Sequence, residues 1–179
     1  MEALKQSAPV RYRAPGVDPG ANRCVNVPTL AINDRRLPMT TDANKALARR
    51  IFEDVLNGRH LDLLDELAAS DYIEHNPLPG QRTGIDGIRD RYSMLFDAFD
   101  FHFTIDDLIA EGDKVVLRWA QAGTHVGAIF GMPATGRTYR TTGIEIWRVE
   151  NGKLAEHWDV VDVFGQFQQL GLLPQPTPA

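Results

Sequence analysis

The run His157-Trp158-Asp159 sets an imidazole and a carboxylate two residues apart, the spacing that puts both on one face of a β-strand. A carboxylate enclosed by apolar groups is poorly hydrated, so its pKa climbs and it can take and return protons near neutral pH. Asp159 is therefore the first candidate for an acid/base group; the plainer alternatives are a solvated strand residue or a partner of an arginine. Glu145 is a second candidate, because two carboxylates close together repel and come to share a proton. His75 and His125 fall where regular elements end, positions suited to the mouth of a pocket, where His75 could supply a proton or orient a carbonyl; the plainer reading of each is an end-capping or surface imidazole. Three histidines and Glu145 invite a metal reading, but no tight His-x-His or His-x-x-x-His pair is present, so no metal is expected.

The elements that must position these residues can be read from hydrophobic spacing. Leu47, Ile51 and Val55 recur every four residues and Gly58 follows, which predicts a first helix from Thr41. A short second helix is expected near Leu61 to Ala69, ending before the Pro77 and Pro79 breakers, and a third from Gly84 to Phe99. After Asp100 the period changes to two, and the rest reads mostly as strand, with turns at Glu111 to Lys114 and Glu150 to Lys153. Three N-terminal helices followed by an antiparallel meander make an α+β fold. Because the helices cover one face only, twist should curl the sheet into a half-open cone able to hold a small apolar ligand.

The last hairpin decides what surrounds Asp159. A two-residue Asn151-Gly152 turn would set Asp159 on the face of Ile144 and Ile146, with Glu145 pointing away. A three-residue loop Glu150-Asn151-Gly152 would pair Asp159 with Gly143, His157 with Glu145 and Ala155 with Trp147, all on one side. The second is preferred, because the first strands Glu145 and Glu156 among apolar residues. One face then carries Gly143, Glu145, Trp147, His157, Asp159 and Val161. Trp119, Phe103, Phe130, Met132, His125 and Trp147 are expected to complete the substrate-binding walls, although aromatics on strands are more often core.

Several segments together resemble the SnoaL-like polyketide cyclases of the NTF2-like superfamily: Asn57-Gly58, Asp71 to Pro77, Gly112 to Val115, Gly123 to His125, Gly131 to Arg137 and Asn151 to Asp159. The resemblance covers roughly residues 41–173. It implies an NTF2-like cone and a cofactor-independent intramolecular aldol closure on a small apolar or aromatic carbonyl compound, with Asp159 as the acid/base. The chain departs from the family on the preceding strand, where characterised cyclases carry an amide and an imidazole and this one has Gly143 and Glu145. Neither replacement can hold an oxyanion, so isomerase-type chemistry stays open. An epoxide hydrolase using Asp159, Arg118 and Asp106, a dehydratase, and a non-catalytic binding or dimerisation module also remain.

Composition narrows the field further. The net charge is −5, with 43% hydrophobic and 24% charged residues, which fits a folded domain and offers no concentrated positive face for nucleic acid or an anionic membrane. A single cysteine, Cys24, cannot form an internal disulfide, so a cytoplasmic location is expected. Residues 1–40, rich in Pro and Gly, read as an extended or flexible arm, or as upstream sequence if Met39 is the natural start; residues 174–179 read as a tail. The apolar outer set Ile144, Ile146, Trp158 and Val160 suggests a homodimer or homotetramer.

Overall fold

The computed structural model describes residues 40–173; the expected arm and tail lie outside them. Helix α1 (Thr41–Arg50) begins where the sequence predicts, because the Thr40 hydroxyl accepts from the Ala43 N–H at 3.1 Å and Asp42 sits in the positive first turn. It continues as a wider π-helical segment, Ile51–Asn57, whose Ile51, Phe52, Val55 and Leu56 are buried. At its end the Asn57 amide donates to the Phe103 carbonyl at 3.0 Å and accepts from the Phe103 N–H at 2.8 Å, stitching the helical layer to the sheet.

The expected second helix is a 3₁₀ turn (Leu61–Leu63) and a single helical turn α2 (Leu64–Leu67), because the chain turns straight into strand β1 (Ala68–Glu74). That strand was not read from the sequence. Helix α3 spans Gly84–Ala98, close to expectation. Strands β2 (Phe99–Glu111), β3 (Lys114–His125), β4 (Thr138–Glu150) and β5 (Lys153–Val161) form the meander, and the sheet order is β1-β5-β4-β3-β2. β1 runs parallel to β5, so the sheet is mixed rather than purely antiparallel.

A fourth helix, α4 (Val163–Leu170), corrects the expectation of three. Its stops were present in the sequence: Asp162 caps it by accepting from the Gly165 N–H at 2.8 Å, and Gly171 ends it in the left-handed region at φ 71°. The helices lie on the inner face of the curved sheet. There Phe52 meets Trp147 at 5.9 Å and Phe103 at 5.2 Å between ring centres, the middle of the main core. The outer face leaves Ile144, Ile146 and Val160 exposed.

The β4–β5 hairpin combines the two registers weighed from sequence. Asn151 and Gly152, at φ 52° and 76°, form the two-residue turn, so Glu150 pairs with Lys153 and Val149 with Leu154. A bulge then takes up one extra residue of β5, and beyond it Trp147 pairs with His157, Glu145 with Asp159 and Gly143 with Val161. The expected pairings of Asp159 with Gly143, His157 with Glu145 and Ala155 with Trp147 are thus each displaced. The expected face is nevertheless right, because the bulge restores the parity that the short turn would have inverted.

Candidate active site

Between α3, α4 and the inner face of the sheet lies a cavity of about 120 Å³. Its walls include Phe103, Trp119, Tyr92, Leu95 and Val161, and its polar lining groups are Glu74, Arg91, Gln121, Glu145, His157, Asp159 and Gln166. Leu78, Phe130, Val163 and Phe167 supply further apolar surface.

Asp159 and Glu145 sit opposite each other on β5 and β4, and both line the cavity. No hydrogen bond joins them among the described residues, and each lies against a basic group, Arg91 for Asp159 and His157 for Glu145. The Arg91 guanidinium, from α3, pairs through Nη2 with Asp159 Oδ2 and through Nη1, at 3.2 Å, with Glu74 Oε2. The Asp159 side chain is 7% exposed, which makes this a desolvated pair rather than a surface one. The premise of an isolated carboxylate among apolar groups is therefore replaced by a carboxylate clamped to an arginine.

His157 lies between the other two acids. Its Nδ1 is 2.8 Å from Glu74 Oε2, and its Nε2 is 3.4 Å from Glu145 Oε2. The second contact is poorly aligned and is an attraction of charges rather than a formed hydrogen bond. Burial works against the imidazolium, but Glu145 and Glu74 outweigh it and raise the pKa to about 9. Burial likewise opposes the Glu74 carboxylate, yet His157, the Asn76 N–H and Arg91 hold it below its ordinary value. Glu74, His157 and Arg91 are thus a charged frame around Asp159 and Glu145. Among the described residues no group of three or more His, Cys, Asp or Glu side chains is placed to hold a metal ion.

Other expected residues divide. Phe103, Trp119, Phe130 and Val161 line the cavity, as expected. Gly143 lies beneath the Trp119 ring, where any Cβ would collide with the indole, so it makes room for that wall without forming it. Trp147 is fully buried against Phe52, in the core instead of the cavity. Met132 packs on a separate small core around Phe99, Ile129, Tyr139 and Leu170.

Neither remaining histidine joins the cavity. His75 follows β1 on the far side of the sheet, 2.8 Å from Glu156 and stacked at 4.3 Å on Trp158. His125 is fully buried beside Phe99, with Nδ1 3.2 Å from the Thr135 hydroxyl. The Asp159, Arg118 and Asp106 set is not assembled either: half-exposed Arg118 binds Asp106 at 2.9 Å and Asp107 at 2.6 Å away from the cavity.

Sequence reasoning missed Glu74, Arg91 and Tyr92 as site residues. Arg91 had a signal, since it falls three residues after Ile88 and four before Leu95, a charge set into the apolar stripe of α3. Glu74 alternates with buried Tyr72, a pattern visible only once residues 68–74 are read as a strand.

The SnoaL-like polyketide cyclase family model matches residues 46–170. The chain is 34% identical over 128 residues to an aklanonic acid methyl ester cyclase of Streptomyces peucetius, covering 70% of this chain and 83% of that one. It is 28% identical over 118 residues to a nogalonic acid methyl ester cyclase of Streptomyces nogalater, covering 64% and 88%. The structure of TsrD from Streptomyces laurentii superposes with a TM-score of 0.69 and 33% identity over 75% of this chain and 99% of that one. With the curved sheet, the inward Asp159 and a match across nearly all the described residues, the chain belongs to the SnoaL-like polyketide cyclase family.

Proposed function

We propose that the protein is a polyketide cyclase that closes a ring in a small polyketide by intramolecular aldol addition, with Asp159 moving the proton and no cofactor taking part. The observation that carries the reading is the placement of Asp159: a buried carboxylate on the wall of an apolar cavity, held in one orientation by Arg91. Asp159 takes a proton from the activated carbon; the resulting carbanion attacks a ketone within the same molecule; the new alkoxide receives the proton back. Arg91 and the His157 imidazolium offset the negative charge that the site carries during these steps. The cavity is close in size to an engineered one of about 150 Å³ that accommodates benzene, so the deep part suits the reacting ring. The remainder of a polycyclic substrate would lie against Leu78, Phe130, Val163 and Phe167.

The test is conversion of aklanonic acid methyl ester and nogalonic acid methyl ester, followed by chromatography of the cyclised product. Asp159→Asn keeps the shape and removes the base, so turnover should fall by about 10² to 10⁴. Formation of no cyclised product from either ester, or full turnover by Asp159→Asn, overturns the proposal.

A second reading has its own support. Glu74, Arg91 and Asp159 form an acid-arginine-acid set inside the cavity, the arrangement an epoxide hydrolase needs, built from different residues than the sequence suggested. Hydrolysis of styrene oxide to its diol, lost in Asp159→Asn, would favour that reading over cyclisation. The exposed outer face of Ile144, Ile146 and Val160 keeps a homo-oligomer within the proposal, to be read by light scattering.

A further inference from the structure

Aldol closure turns a ketone oxygen into an alkoxide, and that oxygen needs a donor already in place. Gly143 and Glu145 stand where the resemblance led one to expect an amide and an imidazole, so the donor must come from elsewhere. Several polar groups of the cavity are already engaged or closed off. Trp119 Nε1 and His157 Nε2 belong to lining residues, but both atoms are sealed from solvent contact, so neither N–H opens onto the free space. The Tyr72 hydroxyl is spent on Glu74 at 3.3 Å, and Gln121 Oε1 accepts from Tyr139 at 3.0 Å. The Arg91 guanidinium is divided between Asp159 and Glu74.

Tyr92 is different. Its ring is a wall of the cavity on α3, adjacent in sequence to Arg91. Its hydroxyl has no hydrogen-bond partner among the described residues, and it is not one of the sealed polar atoms. Glu145, Arg91, Glu74 and Asp159, the charged groups that frame the proposed reaction, line the same cavity.

We propose that the Tyr92 hydroxyl is the hydrogen-bond donor for the ligand's carbonyl oxygen as it becomes an alkoxide, and is in that sense a catalytic residue. The proposal rests on the cyclase reading above. Asp159 accepts the carbon-bound proton; the electron pair forms the new carbon–carbon bond; the carbonyl π pair moves onto the oxygen held by Tyr92; and Asp159 returns its proton to that oxygen. Tyr92 keeps its own proton throughout. Burial, reinforced by Glu145, drives the phenol well above its ordinary pKa, so it serves as a donor and never as the base.

The test uses the full chain and two small probes of similar shape, 1-tetralone and tetralin, with affinities measured by calorimetry for the native protein and for Tyr92→Phe. The ketone should bind about 3- to 10-fold more weakly to Tyr92→Phe, the range expected for one hydrogen bond, while tetralin changes less than about twofold. The carbonyl stretch of bound 1-tetralone should lie below that of the free ketone in the native protein and return towards it in Tyr92→Phe. With a cyclisable ester, kcat should fall about 10²-fold with little change in KM. An unshifted carbonyl band in the native protein, or equal loss of both probes in Tyr92→Phe, overturns the assignment. Because Asp159→Asn tests the cyclase reading by turnover alone, loss of turnover there together with an unshifted band would remove Tyr92 and leave that reading standing.

Discussion

The His157 imidazolium gives the site a pH dependence whose sign can be worked out. Its pKa is about 9 in the folded protein against an ordinary 6.5, so folding favours the charged form. The stabilisation is complete below pH 6.5, shrinks as the pH rises and is lost on passing about 9. Glu74 contributes in the opposite sense: its lowered pKa stabilises the fold above its ordinary 4.5, and that contribution disappears as acid protonates it. The cluster is therefore most stabilising between these limits. His157→Gln should lower Tm, and the gap to the native protein should narrow between pH 6.5 and 9; a gap independent of pH would show that His157 is neutral. Phe130, 55% exposed and at φ 48°, belongs to the proposed mouth, not the chemistry. Phe130→Ala should raise KM by about 3- to 10-fold and leave kcat nearly unchanged, the pattern of lost uniform binding.

Among the elements, the junction of α1 with β2 is the most consequential contact outside the cavity. Asn57 answers both the N–H and the carbonyl of Phe103, the residue whose ring closes one cavity wall. Asn57→Ala leaves two backbone groups unpaired and should cost about 2–4 kcal/mol in urea unfolding. Asn57→Asp keeps the acceptor and should cost less. The long elements were legible because their spacing repeats: α1, α3 and β2 begin within a residue or two of expectation. Short ones were not. β1 carries buried Tyr72 amid exposed neighbours and gains its identity by pairing with β5, far along the chain, which no local pattern encodes. The start of α4 is obscured because Val160, Val161 and Val163 prolong a β-like run past the Asp162 cap.

At the scale of the molecule, the site joins three parts of the chain that sequence spacing cannot bring together: Glu74 from β1, Arg91 and Tyr92 from α3, and Glu145, His157 and Asp159 from the last hairpin. Local alternation exposes the third group; Arg91 shows only as a charge set into the apolar stripe of α3, and Glu74 requires the tertiary fold. No described helix is long and apolar enough to cross a membrane, and the exposed apolar side chains among the described residues include Ile144, Ile146 and Val160 on the outer face of the sheet.

The bulge in β5 has a consequence for how such a site can change over generations. Leu154 and His157 both face inward, three residues apart, only because one residue between them is looped out of the ladder. Removing Ala155 would simply abolish the bulge, since Leu154 with Val149, Glu156 with Arg148 and His157 with Trp147 would then follow in unbroken register and Asp159 would stay inside; removing Ala155 and Glu156 together would rotate everything after Leu154 by half a turn, handing the interior to Trp158 and Val160 and turning Asp159 out to water. Point substitution can only adjust the acid; the count of residues decides whether there is an interior acid at all. Deletion of Ala155 together with Glu156 should therefore abolish turnover and destabilise the fold severely. Deleting Ala155 alone preserves parity and should damage the fold less, a difference that paired melting curves would read directly.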